Sequence, residues 1–135
     1  MDNLFVEIVA PDRRAFQGEA RGLRAPGAEG SFQILKDHAP MIATIEVGPI
    51  FVTSLNGEKI GFATSGGFVE VLNNKVTVLT ETCEPASEID VERARQAEQR
   101  AKEELAATQD PEERAKAEAA LERARNRLRV SMGDL

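Results

Sequence analysis

Apolar and polar residues alternate with a period of two through much of the first eighty residues. The runs LFVEIVA, IFVTSL, KIGFATS, GFVEVL and KVTVLTE all carry the pattern. Because successive strand side chains point to opposite faces, each run reads as a half-buried β-strand. Turn residues separate the runs. Asn56-Gly57, between IFVTSL and KIGFATS, predicts a tight hairpin whose two central residues take positive φ, and Asn73-Asn74 plays a similar part between GFVEVL and KVTVLTE. Ser65-Gly66-Gly67 precedes a strand and not a helix, and so reads as a bulge or a close approach of two backbones. Strands this short and closely spaced predict an antiparallel sandwich or flattened barrel.

Beyond Pro85 the period changes. Ala94, Ala97, Ala101 and Leu105 recur at spacings of three and four, and Ser87 followed by Asp90 is a helix-start signature. Asp110-Pro111-Glu112-Glu113 supplies an N-cap, a proline at the first helical position and early acidic residues, so a second helix starts there and the first ends near Thr108. On the second helix Ala117, Leu121, Ala124 and Leu128 form a heptad-like seam. The expected element is an antiparallel two-helix hairpin. Composition marks the same boundary: all six Phe and nine of the ten Gly lie at or before Phe68, and residues 86–132 contain neither Gly nor an aromatic. Residues 1–85 are therefore read as a β-sandwich domain and 86–135 as a helical hairpin.

The alanine-rich seams have an energetic consequence. A buried Leu or Phe contributes roughly 1.5–3 kcal/mol and an Ala methyl only about 0.8, so the hairpin buries little apolar area by itself. Two arrangements are open: a static pair bracing the sheet, or an element that sits on the sandwich in one state and extends in another.

The 135 residues suit one core with an appendage. A net charge of −6 argues against a nucleic-acid binder, which needs a broad basic field. That charge is uneven, for residues 114–129 hold six basic side chains against Glu118 and Glu122. Cys83 is a lone cysteine, which suits a reduced compartment, and neither a signal-peptide pattern nor a membrane-length apolar run occurs. Membrane association would therefore run through a partner. With one His, one Cys, no Tyr and no Trp, the inventory supports neither a zinc site nor a nucleophilic triad, and no phosphate-binding glycine loop is present.

Charge on the helices poses a further question. Asp90, Arg93 and Arg100 share one side of the first helix. A turn near residue 109 sets Arg93 level with Arg125, flanked by Arg123 and Arg127. If the faces meet, these guanidinium groups converge on an anion, and a polyphosphate would suit their paired donors. Alternatively Glu92, Glu122 and their neighbours pair with the arginines as a solvated face, which spacing alone favours.

Several segments, in order, carry a family resemblance: VEIVAPDRRAFQGEA, GAEGSFQILKDHAPMIATIEVGPI, SGGFVEVLNNKVTVLTE, IDVERA and ERARNRLRV. Over essentially its full length the chain resembles the epsilon subunits of bacterial F-type rotary ATP synthases; Gln33 stands where that family usually has a glycine. The resemblance implies a ten-stranded sandwich followed by two helices, in a non-catalytic subunit that binds the gamma shaft, sits on the c-subunit ring and turns with the rotor. The implied location is peripheral, at the cytoplasmic face of the bacterial plasma membrane. It points to Glu29, Gly30 and Ser31, with His38 nearby, as the ring-facing contact; the alternative for His38 is a turn residue satisfied by backbone. It further implies that the hairpin brakes ATP hydrolysis when extended, Arg123, Arg125, Arg127 and Arg129 meeting acidic segments of beta, with alpha alongside. In some members the folded-down hairpin binds ATP through an I-D-x-x-R-A motif, matched here by Ile89, Asp90, Arg93 and Ala94. Glu84, Arg100, Arg123 and Arg127 match the further positions. ATP is thus the expected regulatory ligand, no cofactor is required, and magnesium is left open. The alternative is a purely structural coupling subunit whose hairpin does not sense ATP.

Overall fold

The fold is taken from a computed structural model that describes residues 3–133. The outermost positions of both expected domains, 1–2 and 134–135, lie outside the described residues. Ten strands come first: β1 (Leu4–Ala10), β2 (Arg13–Ala20), β3 (Gly22–Gly27), β4 (Gly30–Leu35), β5 (Met41–Ile45), β6 (Gly48–Thr53), β7 (Lys59–Thr64), β8 (Gly67–Leu72), β9 (Lys75–Thr80) and β10 (Cys83–Pro85). A short 3-10 turn at Ala86–Glu88 leads into α1 (Val91–Ala107) and α2 (Pro111–Ser131).

Hydrogen bonding runs in the order β10-β7-β6-β3-β5-β8-β9-β1-β2, with β4 paired to β3. The link between the two runs of this path is a single residue pair, Gly27 with Ile45. There the sheet turns and closes over one core containing Leu4, Val6, Ile8, Ile34, Ile50, Phe62, Val69 and Val78. The period-two reading holds on β1, β8 and β9: Leu4, Val6, Ile8 and Ala10 of β1 are buried and the residues between them are not. One pairing departs from the antiparallel expectation, because β1 lies parallel to β9. These two strands are joined by no hairpin, so no turn signal specifies their relative direction.

The turns exchange roles. Asn73 and Asn74 both have positive φ and alone connect β8 to β9, which is the primed two-residue turn. At the other hairpin only Gly57 is left-handed, at φ 89°. Its N–H donates to the Ser54 carbonyl, and the Ser54 N–H donates to the Glu58 carbonyl. That is a wider loop ending in a left-handed glycine, in place of the expected two-residue turn. Ser65-Gly66-Gly67 is the anticipated close approach, since a Cβ on Gly67 would lie 1.9 Å from the Leu79 carbonyl oxygen.

α1 is capped by Asp90 itself, whose carboxylate accepts from the Arg93 N–H at 3.0 Å. Ser87, expected at the start signature, instead lies in the 3-10 turn. Asp110 caps α2 by accepting from the Glu113 N–H at 3.1 Å, and Pro111 occupies the first turn. Ala94, Ala101, Ala117 and Ala124 are the buried residues of the helix–helix seam. A second face of α2 packs on the sandwich, where Val130 meets Ala63 and Ile89. For that reason alternation breaks on β6 and β7: Phe51 is buried beside Ile50 and Val52, and Ala63 beside Phe62 and Thr64. Asn126 anchors this face. Its side-chain amide donates to the Gly48 carbonyl at 2.8 Å and, more weakly, to the Thr64 carbonyl at 3.4 Å.

Burial pushes the Cys83 thiol from its ordinary 9.0 up to about 12, while the Arg13 charge acts the other way. The folded chain thus holds a proton that the unfolded chain has already released, and stability contributed at neutral pH is lost as pH rises from 9.0 toward 12. Urea midpoints should therefore show Cys83→Ala losing less stability than the parent chain between neutral and strongly alkaline pH. Replacing Asn126 by Ala should weaken docking of the hairpin by about 1–3 kcal/mol, because two buried carbonyls lose their donor. Amide exchange should quicken across α1 and α2 and stay unchanged in β1, β8 and β9.

Candidate functional site

A cleft of about 430 Å³ lies between the β7–β10 edge of the sandwich and the helices. The sandwich wall carries Asp12, Arg13, Ala63, Thr64, Ser65, Thr82, Cys83 and Glu84. The helical wall carries Ala97, Ala120, Arg123, Ala124, Asn126 and Arg127. Small alanines on the helices keep the floor open, and the longer arginines form the rim.

Glu84 and Arg127 meet across the two domains. Arg127 Nε donates to Glu84 Oε1 at 2.8 Å and its Nη2 donates to Oε2 at 3.1 Å, a two-point pairing of half-buried groups. The hydrogen bond to Glu84 raises the Arg127 pKa above its usual value, against partial burial, and the charges of Glu84 and Asp90 add to the rise. Arg123 lines the same cleft with its guanidinium unpaired among the described residues. At the sandwich wall, Arg13 Nη2 donates to both oxygens of Glu88, at 2.9 and 3.1 Å. That hydrogen bond, then the Glu88 charge, raises the Arg13 pKa. Thr82 Oγ1 donates to Ser65 Oγ at 2.7 Å, placing two hydroxyls on the wall. Asn126 Oδ1 is buried with no hydrogen-bond partner among the described residues, its amide nitrogen being committed to the two carbonyls of the sheet.

Of the expected nucleotide-site residues, the structure brings Glu84, Arg123 and Arg127 to one cleft. The rest stand apart from its lining. Ile89 and Ala94 are buried, Ile89 in the cluster beneath α2, and Asp90 is engaged as the cap of α1. Arg93 and Arg100 are exposed on α1. Arg125, expected level with Arg93, meets Glu98 at 3.3 Å, a carboxylate pairing of the kind the solvated-face alternative describes. Helical side chains lean toward their own N-terminus, which for α2 is the hairpin tip, so Arg125 reaches further along α1 than its Cα position suggests. Arg129 is exposed and without a partner among the described residues.

Glu29, Gly30 and Ser31 are exposed at the β3–β4 turn, where Gly27 pairs with Gly30. His38 is not brought beside them. It follows the far end of β4, roughly 20 Å away along a six-residue strand, with Nδ1 donating to the Ala39 carbonyl at 2.8 Å.

Sequence reasoning missed Arg13, Ser65, Thr82 and Asn126. No local motif announces them, since β2, the β7–β8 and β9–β10 connections, and α2 converge only through the fold. A buried Asn on the face of α2 that meets the sheet was the one readable signal, once the seam positions had been assigned.

Comparison with known proteins places this geometry in context. The family described as "ATP synthase, Delta/Epsilon chain, beta-sandwich domain" matches residues 3–86, and "ATP synthase, Delta/Epsilon chain, long alpha-helix domain" matches residues 87–132. An ATP synthase epsilon chain of Salinibacter ruber is 59% identical over 112 residues, covering 77% of this chain and 75% of the relative. One from Nitratidesulfovibrio vulgaris is 41% identical over 128 residues, covering 95% of each. A chain of the Euglena gracilis mitochondrial ATP synthase shares the fold with a TM-score of 0.84 at 23% identity, covering 93% of this chain and 79% of that one. A chain of the Tetrahymena thermophila mitochondrial enzyme, from its central stalk and c-ring, gives 0.65 at 16% identity, with 96% of both chains covered. Two family matches that meet at the sandwich–hairpin boundary, and relatives aligned through both parts, assign the chain to the epsilon-chain family of the bacterial F-type ATP synthase.

Proposed function

We propose that the chain is a non-catalytic central-stalk subunit of the proton-translocating ATP synthase, coupling the catalytic head to the membrane rotor, and that its hairpin conditionally inhibits ATP hydrolysis. In the docked state described above, ATP occupies the cleft. The observation that carries this reading is a cleft built jointly by sandwich and hairpin, with one unpaired arginine, Arg123, and a second, Arg127, whose Nη1 donors are free of Glu84. Such a cleft exists only while the hairpin is docked. A polyphosphate bound there therefore favours the docked state by its differential affinity, and the extended, inhibitory state is depleted in proportion.

The proposed division of labour draws on the cleft lining for the phosphates and on the family motif for the base. Arg123 and Arg127 take phosphate oxygens through their guanidinium forks. Ile89, Asp90 and Ala94 stand apart from the cleft lining and are assigned to the base by the family motif alone, while Arg93 and Arg100 extend the basic field along α1. Glu84 holds Arg127 in place until ligand competes for it. In the extended state Arg123, Arg125, Arg127 and Arg129 exchange their intrachain carboxylates for acidic segments of the beta subunits, with alpha alongside. The gamma subunit and the c-ring are the stalk partners. The exposed β3–β4 turn at Glu29, Gly30 and Ser31 faces the ring, and His38, at the other end of β4, fits the alternative of a turn residue satisfied by backbone, through the Ala39 carbonyl. The subunit works at the cytoplasmic face of the bacterial plasma membrane, held there by the complex. Magnesium has no dedicated carboxylate cluster among the described residues and would arrive with the nucleotide.

Calorimetric titration of ATP into the isolated chain should give saturable one-to-one binding, weakened roughly tenfold or more by Arg127→Ala, since a charge-assisted contact to phosphate is lost. Absence of heat up to millimolar ATP would overturn nucleotide sensing. Removal of residues 86–135 should raise ATP hydrolysis by the reconstituted complex; an unchanged rate would favour a purely structural coupling role.

A further inference from the structure

The cleft has a cation that belongs to the sandwich and to no helical motif. Arg13 opens β2 and lines the wall facing Arg123 and Arg127. Its engagement with Glu88 uses one nitrogen only: Nη2 donates to both carboxylate oxygens. Nε and Nη1 retain their hydrogens for another acceptor, among the described residues. The pair is partly solvated, with side-chain exposures of 36% for Arg13 and 53% for Glu88, so it is readily exchanged. Two neighbours shape what such a group can bind. Asp12 and Glu84 also line the cleft, but Glu84 is occupied by Arg127, which leaves three arginines facing a space with one uncommitted carboxylate. The Ser65 and Thr82 hydroxyls stand on the same wall as Arg13 and can donate to or accept from an oxyanion.

We propose that Arg13 is a further phosphate-binding residue of the cleft, and that through it the ligand bridges the sandwich to the helical hairpin. This deepens the nucleotide reading above and rests on it. A ligand held by Arg123 and Arg127 alone would have all its ionic contacts on the hairpin. One held also by Arg13 must be released, in part, before α2 can leave. Arg13 thereby converts ligand affinity into docking strength: whatever factor it adds to binding in the docked state multiplies the shift that saturating ligand imposes on the docked–extended equilibrium. Glu88 acts as the placeholder that keeps the guanidinium at the rim in the absence of anion.

The test uses the full chain and ATP, with calorimetry for affinity and amide exchange in α2 for docking. Arg13→Ala should bind ATP about tenfold more weakly, and ATP should protect α2 correspondingly less. Glu88→Gln, which removes the competing carboxylate but keeps the guanidinium, should bind as tightly as the parent or tighter. Unchanged ATP affinity in Arg13→Ala, with the parent binding normally, overturns the role of Arg13 and leaves the nucleotide reading intact. Equal weakening by Arg13→Ala and Glu88→Gln assigns the effect to the lost ion pair and overturns it as well. If the parent itself shows no saturable binding, both readings fall together.

Discussion

Phe51 and Ala63 sit on the outer side of β6 and β7, and the sandwich has nothing of its own to cover them. α2 supplies the cover: Val130 packs with Ala63 and Ile89, and Gly61 admits Val130 and Phe51 side by side because it carries no side chain. Everything distinctive about the molecule depends on this one seam. The cleft is its open end, the Glu84–Arg127 pair crosses it, and Asn126 fastens it to the backbone of two strands. The apolar part is small, Val130 and Ile89 against Ala63 and one face of Phe51, so its contribution is on the order of a few kcal/mol. The helices add little by themselves, since their mutual seam is mostly alanine.

The fastenings are largely polar, and that determines how they respond to undocking. When α2 leaves, the Gly48 and Thr64 carbonyls, Glu84 and Arg127 all pass to water, which satisfies them nearly as well as they satisfy one another. An apolar seam of the same extent would expose surface with no compensation. A polar seam therefore favours the right geometry strongly while opposing departure weakly. Asn126 illustrates the balance. Its amide ties the docked helix to two carbonyls of the sheet, and each of those groups has water as its alternative once α2 leaves.

Legibility in the sequence followed the range of the interactions. β1, β6, β7, β8 and β9 were readable because a period of two along five to seven residues is a local signal, and the α2 start because Asp110 is followed by Pro111; α1 was readable from its alanine period, but its cap is Asp90, three residues past the Ser87 of the start signature. β2 through β5 and β10 were not readable from pattern; β2 mixes exposed and half-buried positions along RRAFQGEA, and only the family resemblance implied a full ten strands. The parallel β1–β9 pairing is a property of topology, for which no turn residue carries information. In the cleft, Glu84, Arg123 and Arg127 were named from a motif and do converge, whereas Arg13 reaches it from seventy-five residues before Glu88 in sequence, a separation that only the folded sheet closes. Spacing set Arg125 level with Arg93 by Cα position, but a long side chain acts where its tip arrives, and the Arg125 guanidinium meets Glu98.

Each arginine of this region has more than one eligible partner, and the partners exclude one another. Arg127 cannot give the same Nε–Nη2 edge to Glu84 and to a phosphate, and Arg125 cannot remain with Glu98 while it meets an acidic surface elsewhere. In the docked chain these guanidinium groups are partly neutralised by intrachain carboxylates of modest strength, because the pairs are half exposed and screened. A stronger, more concentrated anion wins such a competition wherever geometry allows two forks to close on it. Under the function proposed above, that anion inside the cleft is a polyphosphate, whose capture would tie α2 down, and outside it a row of carboxylates on a partner, whose capture would pull α2 away. On that proposal the opposing outcomes use the same side chains and need no separate sensor: the position of the hairpin follows from which anion the arginines bind more strongly at its concentration.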